Sequence, residues 1–287
     1  MTLPDIAAHA DIRDIVSRAL NEDIGPGDVT SEIVVGDAET AAAAVVARQD
    51  CVVAGLPVAA LAFHTVDPSL GCRFDAADGR RARAGSRVME VSGHARSILA
   101  AERVALNFLQ RLSGIATLTH EFVEWVSRLG VKVLDTRKTT PTLRALERYA
   151  VVCGGGTNHR DGLFDRVLVK DNHRVLWRRT AGRTLADSVL AARRARPGLE
   201  IEVEVESVEE FTSVLAARPD WILLDNMAVD AIAECVKLCA GRCKIEASGG
   251  ITLQNAGDVA AAGVTAISVG ALTHSAPAVD FSLELIP

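Results

Sequence analysis

The sequence predicts an α/β fold with a parallel sheet, and three observations lead to this prediction. From residue 132 onward, short β-rich runs alternate with helical segments. Each of these runs ends near a polar or glycine residue, as strands do where they pass into a loop. Hydrophobic residues make up 49% of the 287 residues, which is enough to bury a core without disulfides.

The first part of the chain has a different pattern. Apolar residues at helical spacing follow Asp11, a predicted N-cap, and indicate a short amphipathic helix. Residues 41–92 alternate apolar runs with glycines, which predicts short strands in a separate small sheet layer. Residues 95–129 return to a helical period, and Ser113 and Gly114 are predicted to form the turn between two helices.

Six βα units are predicted in the remainder of the chain. Their strand-like runs are VKVLD, RVLVK, EIEVEVE, WILLD, KIEAS and AISVG. Ser207 with Glu210 has the spacing of a capping box, and Thr184 and Thr252 stand at predicted N-cap positions. Periodicity alone does not decide between an open doubly wound sheet and a barrel.

The positions of the functional groups favour the barrel. The groups that follow the runs are, in chain order, Asp135 with Arg137 and Lys138, then Lys170, Glu204, Asp225, Ser248 to Gly250, and Gly270. In α/β barrels functional groups lie at the C-terminal ends of the strands, and phosphate often binds to the loops after the last strands. The glycines of SGG and VGA allow backbone N–H groups to approach an anion, so we expect a phosphate site there.

Positive charge is concentrated between residues 135 and 173, although the whole chain has a formal net charge of −6. Arginine forks and lysine ammonium groups suit a small polyanion. Because nucleic-acid-binding proteins usually present a broad basic surface, this focused charge argues against nucleic acid as a partner.

Three glutamates alternate along one predicted strand, so Glu202, Glu204 and Glu206 share a face. Buried acids of like charge need compensating cations. One interpretation is a short, partly solvated strand. The other pairs Glu204 with Asp225 as oxygen ligands of Mg²⁺ that a phosphorylated substrate carries.

The six cysteines follow no secreted spacing, and no secretory leader or membrane-spanning run is apparent. We therefore expect a reducing, cytoplasmic setting without a membrane partner.

Longer motifs then follow one another in a specific order: EDIGPGDVTS, AAERVALNFLQRLSGIATLT, DTRKTTP, YAVVCGGGTNHRDG, VLVKDNH, LLDN, ASGGI and SVGALTHS. In this order and over residues 22–275, the chain resembles the quinolinate phosphoribosyltransferase family, also called nicotinate-nucleotide pyrophosphorylase (carboxylating). The match covers nearly the whole chain.

The resemblance implies a fold and a reaction. The expected fold is an N-terminal α/β sandwich over residues 1–113, with the tail 276–287 packed back on it, and a C-terminal incomplete, TIM-like α/β barrel over residues 114–275. Members convert quinolinate and 5-phosphoribosyl 1-pyrophosphate, with Mg²⁺, into nicotinate mononucleotide, CO₂ and pyrophosphate for NAD biosynthesis. They form homodimers, and we leave a higher oligomer open.

The resemblance also implies roles for individual residues. The expected quinolinate-binding residues are Arg103 from the neighbouring subunit, Arg137, Lys138, His159, Arg160 and Lys170. The expected phosphoribosyl pyrophosphate site consists of Glu204, Asp225, Ser248, Gly249, Gly250 and Gly270, of which Glu204 and Asp225 would hold Mg²⁺. The expected catalytic residues are Lys138, Lys170, Glu204 and Asp225. The chain departs from the family at Thr142, where many members have glycine.

Three other functions stay open from the sequence. A nicotinate phosphoribosyltransferase would use related chemistry without decarboxylation. A molybdenum-linked homologue, or one that only binds an anionic metabolite, would keep part of the motifs. A Schiff-base aldolase would use Lys170 at its strand end as a nucleophile.

Overall fold

The protein is described by a computed structural model that covers residue 3 and residues 6–287. It divides into two compact units. The first comprises the described residues up to His120, Thr139–Gly155 and Leu272–Pro287, and the second comprises Glu121–Lys138 and Gly156–Ala271. The domain boundaries expected after residues 113 and 275 stay a prediction; this division places residues 139–155 with the first unit.

The strands are, in chain order, β1 (Thr40–Ala47), β2 (Cys51–Val52), β3 (Gly71–Phe74), β4 (Arg81–Ala82), β5 (Arg87–His94), β6 (Lys132–Leu134), β7 (Val167–Val169), β8 (Ile201–Val205), β9 (Trp221–Asp225), β10 (Lys244–Ser248), β11 (Ala266–Ser268) and β12 (Phe281–Ile286). The α-helices are α1 (Ala10–Ile24), α2 (Val29–Val34), α3 (Leu56–Val66), α4 (Ala95–Val126), α5 (Arg144–Cys153), α6 (Asp171–Arg178), α7 (Leu185–Ala195), α8 (Val208–Leu215), α9 (Val229–Cys239), α10 (Ala256–Ala261) and α11 (Ala271–His274). Short 3-10 helices cover Ile6–Ala8 and Ser127–Leu129.

The first unit contains an antiparallel sheet with the strand order β12-β1-β5-β3, and a small β2-β4 pair. The expected sheet layer is thus confirmed. The first predicted helix is confirmed as α1, which buries Ile12, Val16 and Leu20 and packs against α3. Asp11 lies in its first turn, and the N-cap position belongs to His9, so the predicted cap was wrong by two residues.

The two helices predicted between residues 95 and 129 are one helix, α4, and the predicted turn was wrong. Gly114 is needed for close packing, because a Cβ at this position would lie 2.0 Å from the carbonyl oxygen of Pro277. Ser113 uses its hydroxyl to accept a 3.0 Å hydrogen bond from the N–H of Ala54. The Ser-Gly pair therefore serves contacts within the first unit and does not end the helix.

The second unit contains the six predicted parallel strands, in the order β6-β11-β10-β9-β8-β7. β6, the first of these strands along the chain, pairs with β11, the last. The two edge strands of the sheet are β6 and β7. This arrangement confirms the incomplete barrel. Its gap lies between the first and second strands, and the chain segment 156–166 connects across it.

Of the three caps predicted in the second unit, Ser207 and Thr184 are confirmed as N-caps. The side chain of Ser207 accepts a hydrogen bond from the N–H of Glu210, but the carboxylate of Glu210 accepts from the N–H of Glu206, so the predicted reciprocal box with Ser207 was wrong. Thr184 forms a reciprocal capping box with Asp187. Thr252 is not a cap, since α10 begins three residues later than predicted, after Asn255. The N–H of Thr252 instead donates to Asn255 Oδ1 at 2.8 Å, a local turn that replaces the first helical turn.

Across the described residues, the helices are too short or too polar to cross a membrane.

Candidate active site

A cavity of about 670 Å³ lies within the second unit, at the carboxyl ends of its parallel strands. Its size is in the range of small-molecule sites. The predicted site residues that line it are Arg137, Lys138, His159, Arg160, Lys170, Glu204, Asp225, Ser248, Gly249 and Gly250. The fold therefore brings ten of the twelve predicted residues into one pocket.

Four cations form what we call the cationic wall of this pocket: Arg137, Lys138, Arg160 and Lys170. Arg160 is only 8% exposed. Burial lowers the pKa of its guanidinium, and the positive charge of Arg137 lowers it further. Two like charges in a desolvated pocket are stabilised by an anion between them, so the wall favours a ligand with more than one negative group.

The segment in the gap of the barrel positions this wall. Thr157 forms a parallel bridge with Leu134, and its N–H donates to the carbonyl of Val133 at 2.8 Å. Two residues later, the N–H of His159 donates to the fully buried Asp135 at 2.7 Å. The segment is thus fixed against the edge strand β6, which places His159 and Arg160 inside the barrel.

Glu204 and Asp225, which we call the mouth pair, lie at the C-terminal ends of two neighbouring strands, β8 and β9. Lys170 donates to Glu204 Oε2 at 2.8 Å, and the N–H of Asp171 donates to the other oxygen at 3.2 Å. Burial raises the pKa of Asp225, and the nearby charge of Glu204 raises it further. The pair therefore concentrates negative charge beside Lys170.

The SGG turn follows β10 and is joined to the mouth pair through Asn226. The N–H of Asn226 donates to the carbonyl of Ser248 at 2.9 Å, and its amide donates to Asp225 Oδ2 at 2.9 Å. Gly249 has φ +86°, and a Cβ on it would lie 2.3 Å from Asn226 Oδ1. Glycine is thus required at this position both by conformation and by space.

A second acidic pair, Glu202 and Glu246, is fully buried; we call it the buried pair. Nε2 of His159 lies 3.3 Å from Glu202 Oε2 and 3.1 Å from Glu246 Oε2. Arg166 Nη1 lies 3.2 Å from Glu202 Oε2. Glu246 itself lines the pocket.

The three alternating glutamates, Glu202, Glu204 and Glu206, each have a compensating cation nearby, as the sequence analysis required of buried acids of like charge. Within the described residues, Glu202 contacts Arg166, Glu204 contacts Lys170, and Glu206 contacts Arg174 at 2.8 Å. Glu202 and Glu204 are buried, so the interpretation of this stretch as a partly solvated strand was wrong for both of them. Glu206, just beyond β8, is exposed.

Two predicted residues lie outside the lining of the pocket. Arg103 belongs to the first unit, where its side chain is 58% exposed and lies 3.9 Å from Glu102. Gly270 follows β11 and directly precedes α11. Thr142, at the position where the family often has glycine, adopts φ +70°. This left-handed conformation explains why glycine is suited to the position.

Sequence reasoning missed several residues of the pocket, among them Asn226 and Glu246. Asn226 was present in the LLDN motif, and asparagine tolerates its observed φ of +54° better than most residues do. Glu246 had a weaker signal, an acid inside the otherwise short apolar run KIEAS. His173 also lines the pocket, and it caps α6 by accepting the N–H of Lys170 at 3.0 Å.

Comparison with known proteins shows the family to which the chain belongs. The profile of the quinolinate phosphoribosyl transferase C-terminal domain matches residues 115–284, and that of the N-terminal domain matches residues 28–113. The chain belongs to the quinolinate phosphoribosyl transferase family. The family that the sequence motifs indicated is thereby confirmed.

Individual members of the quinolinate phosphoribosyl transferase family match along nearly their whole length. The probable nicotinate-nucleotide pyrophosphorylase [carboxylating] of Bacillus subtilis is 39% identical over 277 residues, covering 96% of this chain and 94% of that protein. The structure of the nicotinate-nucleotide pyrophosphorylase from Francisella tularensis superposes with a TM-score of 0.91 at 35% identity, covering 99% and 98% of the two chains.

The human nicotinic acid phosphoribosyltransferase has a TM-score of 0.64 at 13% identity, over all of this chain and 75% of that one. At this identity the likeness concerns the fold alone. The resemblance to the quinolinate family, by contrast, extends to sequence across both units.

Proposed function

We propose that this protein transfers the phosphoribosyl group of 5-phosphoribosyl 1-pyrophosphate to quinolinate with loss of CO₂. The products are nicotinate mononucleotide and pyrophosphate, and the reaction belongs to NAD biosynthesis. The observation that carries the proposal is the cationic wall, in which buried Arg160 lies close enough to Arg137 for the two charges to repel. Quinolinate has two adjacent carboxylates, which match such a wall.

In the proposed complex, the wall binds quinolinate through its carboxylates. The planar forks of Arg137 and Arg160 suit bidentate contacts, and Lys138 supplies a compact charge. These contacts orient the pyridine nitrogen toward the sugar.

The mouth pair and the SGG turn form the proposed phosphoribosyl pyrophosphate site. Ser248, Gly249 and Gly250 offer a glycine turn for the 5-phosphate, and Gly270 is proposed to contribute from the next strand. Glu204 and Asp225 are proposed to bind the ribose hydroxyls.

Mg²⁺ fits the mouth pair. It prefers carboxylate oxygens and usually arrives with substrate phosphates. The charge of Glu204 raises the pKa of Asp225, so a divalent cation would relieve a repulsion that the protein contains. When bound, Mg²⁺ would neutralise charge on the departing pyrophosphate. Glu204 and Asp225 are the residues that we propose to hold it.

The protein residues then have four tasks: binding, orientation, charge complementation and exclusion of water. The pyridine nitrogen is already a nucleophile, so no general base is needed for its attack. The sugar carbon becomes cationic as pyrophosphate leaves, and Glu204 and Asp225 stabilise that charge. Lys138 and Lys170 offset the negative charge of substrate and leaving group. When the adjacent carboxylate departs as CO₂, its bonding electron pair remains on the ring carbon and is stabilised by the neighbouring pyridinium nitrogen. That carbon then takes up a proton from the medium to give the product.

We further propose a homodimer in which Arg103 completes the quinolinate pocket of the neighbouring subunit. The exposure of its side chain leaves it accessible for such a contact. Mixing inactive Arg103→Ala with inactive Lys138→Ala subunits would restore activity if each pocket uses both chains. Mixed dimers without activity would contradict the shared site.

The deciding experiment measures turnover with phosphoribosyl pyrophosphate and Mg²⁺, comparing quinolinate with nicotinate and following CO₂ together with the mononucleotide. We expect equal amounts of both products from quinolinate and almost none from nicotinate. Lys138→Ala is expected to lower kcat/KM by about a hundredfold. Product from nicotinate alone, or no product at all, would mean that the motifs serve another substrate or binding only.

The Schiff-base alternative needs a neutral amine at Lys170. Nζ of this side chain instead donates a 2.8 Å hydrogen bond to Glu204 Oε2, so it is engaged with a carboxylate. Borohydride trapping of a keto-sugar phosphate on Lys170 would revive the alternative.

We place the reaction in the cytoplasm, and the free thiols of all cysteines in the described chain support a reducing setting.

A further inference from the structure

The buried pair and His159 form a cluster that the proposed reaction leaves without a role. The side chain of His159 is 7% exposed, and those of Glu202 and Glu246 are almost completely enclosed. One oxygen of Glu202 and both oxygens of Glu246 have no hydrogen bond of good geometry among the described residues. Buried carboxylates without full hydrogen bonding are costly, so the cluster calls for a functional explanation.

The hydrogen bond at Nδ1 decides where the ring of His159 carries its proton. The N–H of Arg160 donates to Nδ1 at 2.7 Å. A proton on Nδ1 would point at this N–H, so the ring proton belongs on Nε2. Nε2 is the atom that faces Glu202 and Glu246, and it lies 3.3 Å and 3.1 Å from one oxygen of each. Both ring nitrogens thus lie against groups of the protein itself.

The two carboxylates of the buried pair differ in their surroundings. Glu202 is 3.2 Å from the guanidinium of Arg166, which supports its charged form. Burial raises the pKa of Glu246, and the charge of Glu202 raises it further. Of the two carboxylates, Glu246 is therefore the one that keeps a proton more readily. In its protonated form it needs no counter-cation beside His159.

A metal ion is a weaker explanation for the same three residues, although their ligand atoms all lie within 4.8 Å of one another. Arg166 Nη1 is 3.2 Å from Glu202 Oε2 and 3.5 Å from His159 Nε2. A guanidinium is thus already placed against two of the three ligand atoms. A second cation would be repelled by it.

We propose that Glu246 is a positioning residue, which acts with Glu202 to hold the ring of His159 so that its Nδ1 fixes the backbone of Arg160 in the cationic wall. The inference rests on the proposed function, because it assigns the cluster to quinolinate binding. It replaces a direct contact between His159 and quinolinate by an indirect one. The N–H of His159, held by Asp135, and the N–H of Arg160, held by Nδ1, are two consecutive fixed points.

The test compares Glu246→Gln with Glu246→Leu. Glutamine keeps the shape and hydrogen-bonding capacity of a neutral acid, whereas leucine removes the polar group that faces Nε2. We expect Glu246→Leu to raise KM for quinolinate about tenfold, as expected when a buried polar group loses its partner. KM for phosphoribosyl pyrophosphate should stay within about twofold, and Glu246→Gln should restore most of the quinolinate affinity.

Val203→Ala is the matched control for lost stability. Val203 is fully buried in the same strand as Glu202, but its side chain points to the opposite face. It should lower the melting temperature without a selective rise in KM for quinolinate. Equal changes in both KM values for Glu246→Leu, or no rescue by glutamine, would overturn the proposal.

A second measurement does not depend on how the variants fold. Burial lowers the pKa of His159, but the hydrogen bonds and charges of Glu202 and Glu246 raise it to about 9. A proton on Nδ1 would nevertheless point at the N–H of Arg160. Nitrogen NMR of labelled histidine in the wild-type protein, assigned with His159→Asn, should therefore show a ring that is protonated at Nε2 and not at Nδ1 at neutral pH. A doubly protonated ring, or a stoichiometric transition metal in the purified protein, would overturn the proposal. Wild-type protein that fails to turn over quinolinate would contradict the proposed function, while this NMR result would still report on the cluster itself.

Discussion

The mouth pair and the buried pair are built from the same type of residue in the same sheet, yet their surroundings differ. Glu204 of the mouth pair contacts a lysine that is 44% exposed, and Asp225 is also accessible from the pocket. The buried pair shares a histidine and, through Glu202, an arginine, with almost no exposure. Glu202 and Glu204 are two residues apart on one face of β8. The comparison shows that the chemical role of a carboxylate depends on the cation next to it and on its exposure to solvent.

Neutralising the mouth pair should have the largest effect on catalysis. Glu204→Gln and Asp225→Asn are each expected to lower kcat/KM by about a hundredfold or more, because they remove charge that stabilises the cationic sugar carbon and binds Mg²⁺. Steady-state kinetics over a range of Mg²⁺ concentrations provides the measurement. Glu206→Gln is the matched control, since this residue follows the same strand and is exposed. If Glu204→Gln behaved like Glu206→Gln, the mouth pair would have no special role.

Gly249→Ala tests the mouth pair indirectly, because Gly249 packs against Asn226, whose side-chain amide donates a hydrogen bond to Asp225. The new Cβ would lie 2.3 Å from Asn226 Oδ1 and 2.9 Å from its backbone nitrogen. We expect KM for phosphoribosyl pyrophosphate to rise about tenfold, as Asn226 moves and loses a hydrogen bond to Asp225. Gly198→Ala is a control, because a Cβ there meets no atom within 4 Å. A selective effect on quinolinate instead would argue that the SGG turn is not the phosphate site.

The buried pair should be visible in the pH dependence of stability. The pKa of Glu246 is raised in the folded state by burial and by Glu202. The stability that its bound proton contributes is therefore fully present below the ordinary pKa of glutamate and is lost as the pH rises through the raised pKa. Denaturant unfolding across this pH range should show that the free energy of unfolding falls more steeply with rising pH in wild type than in Glu246→Gln. Parallel curves would mean that Glu246 is ionised in both states.

The smallest expected effect concerns a position that belongs to neither pair. Thr142 lies in the first unit at φ +70°, a conformation that is unfavourable for threonine. Thr142→Gly should raise the free energy of unfolding by about 1 kcal/mol through relief of this strain, less the entropy that glycine adds to the unfolded chain. Thermal unfolding gives the measurement. Thr142→Ala, which keeps a Cβ and hence the strain, is the control and should not stabilise the protein.

Much of the site was predictable because a strand end is a local feature of sequence. Lys170, Glu204 and Asp225 each follow or end a β-rich run, and parallel strands place their carboxyl ends at one edge. The long motifs then identified the family. The turn predicted at Ser113 and Gly114 failed for a physical reason, since glycine signals either a bend or a close approach, and only the contact with Pro277 distinguishes them.

By itself, the sequence determined the alternation of strands and helices, the residues at the strand ends, and the family with its reaction. These features depend on short-range patterns of hydrophobicity, propensity and motif. Only the tertiary structure decided that Glu246 meets His159 and Glu202. These groups come from β10, β8 and the segment that spans the gap between β6 and β7, and no local pattern encodes their distance. Burial and mutual charge, which set the state of each carboxylate, exist only once these distant segments have packed together.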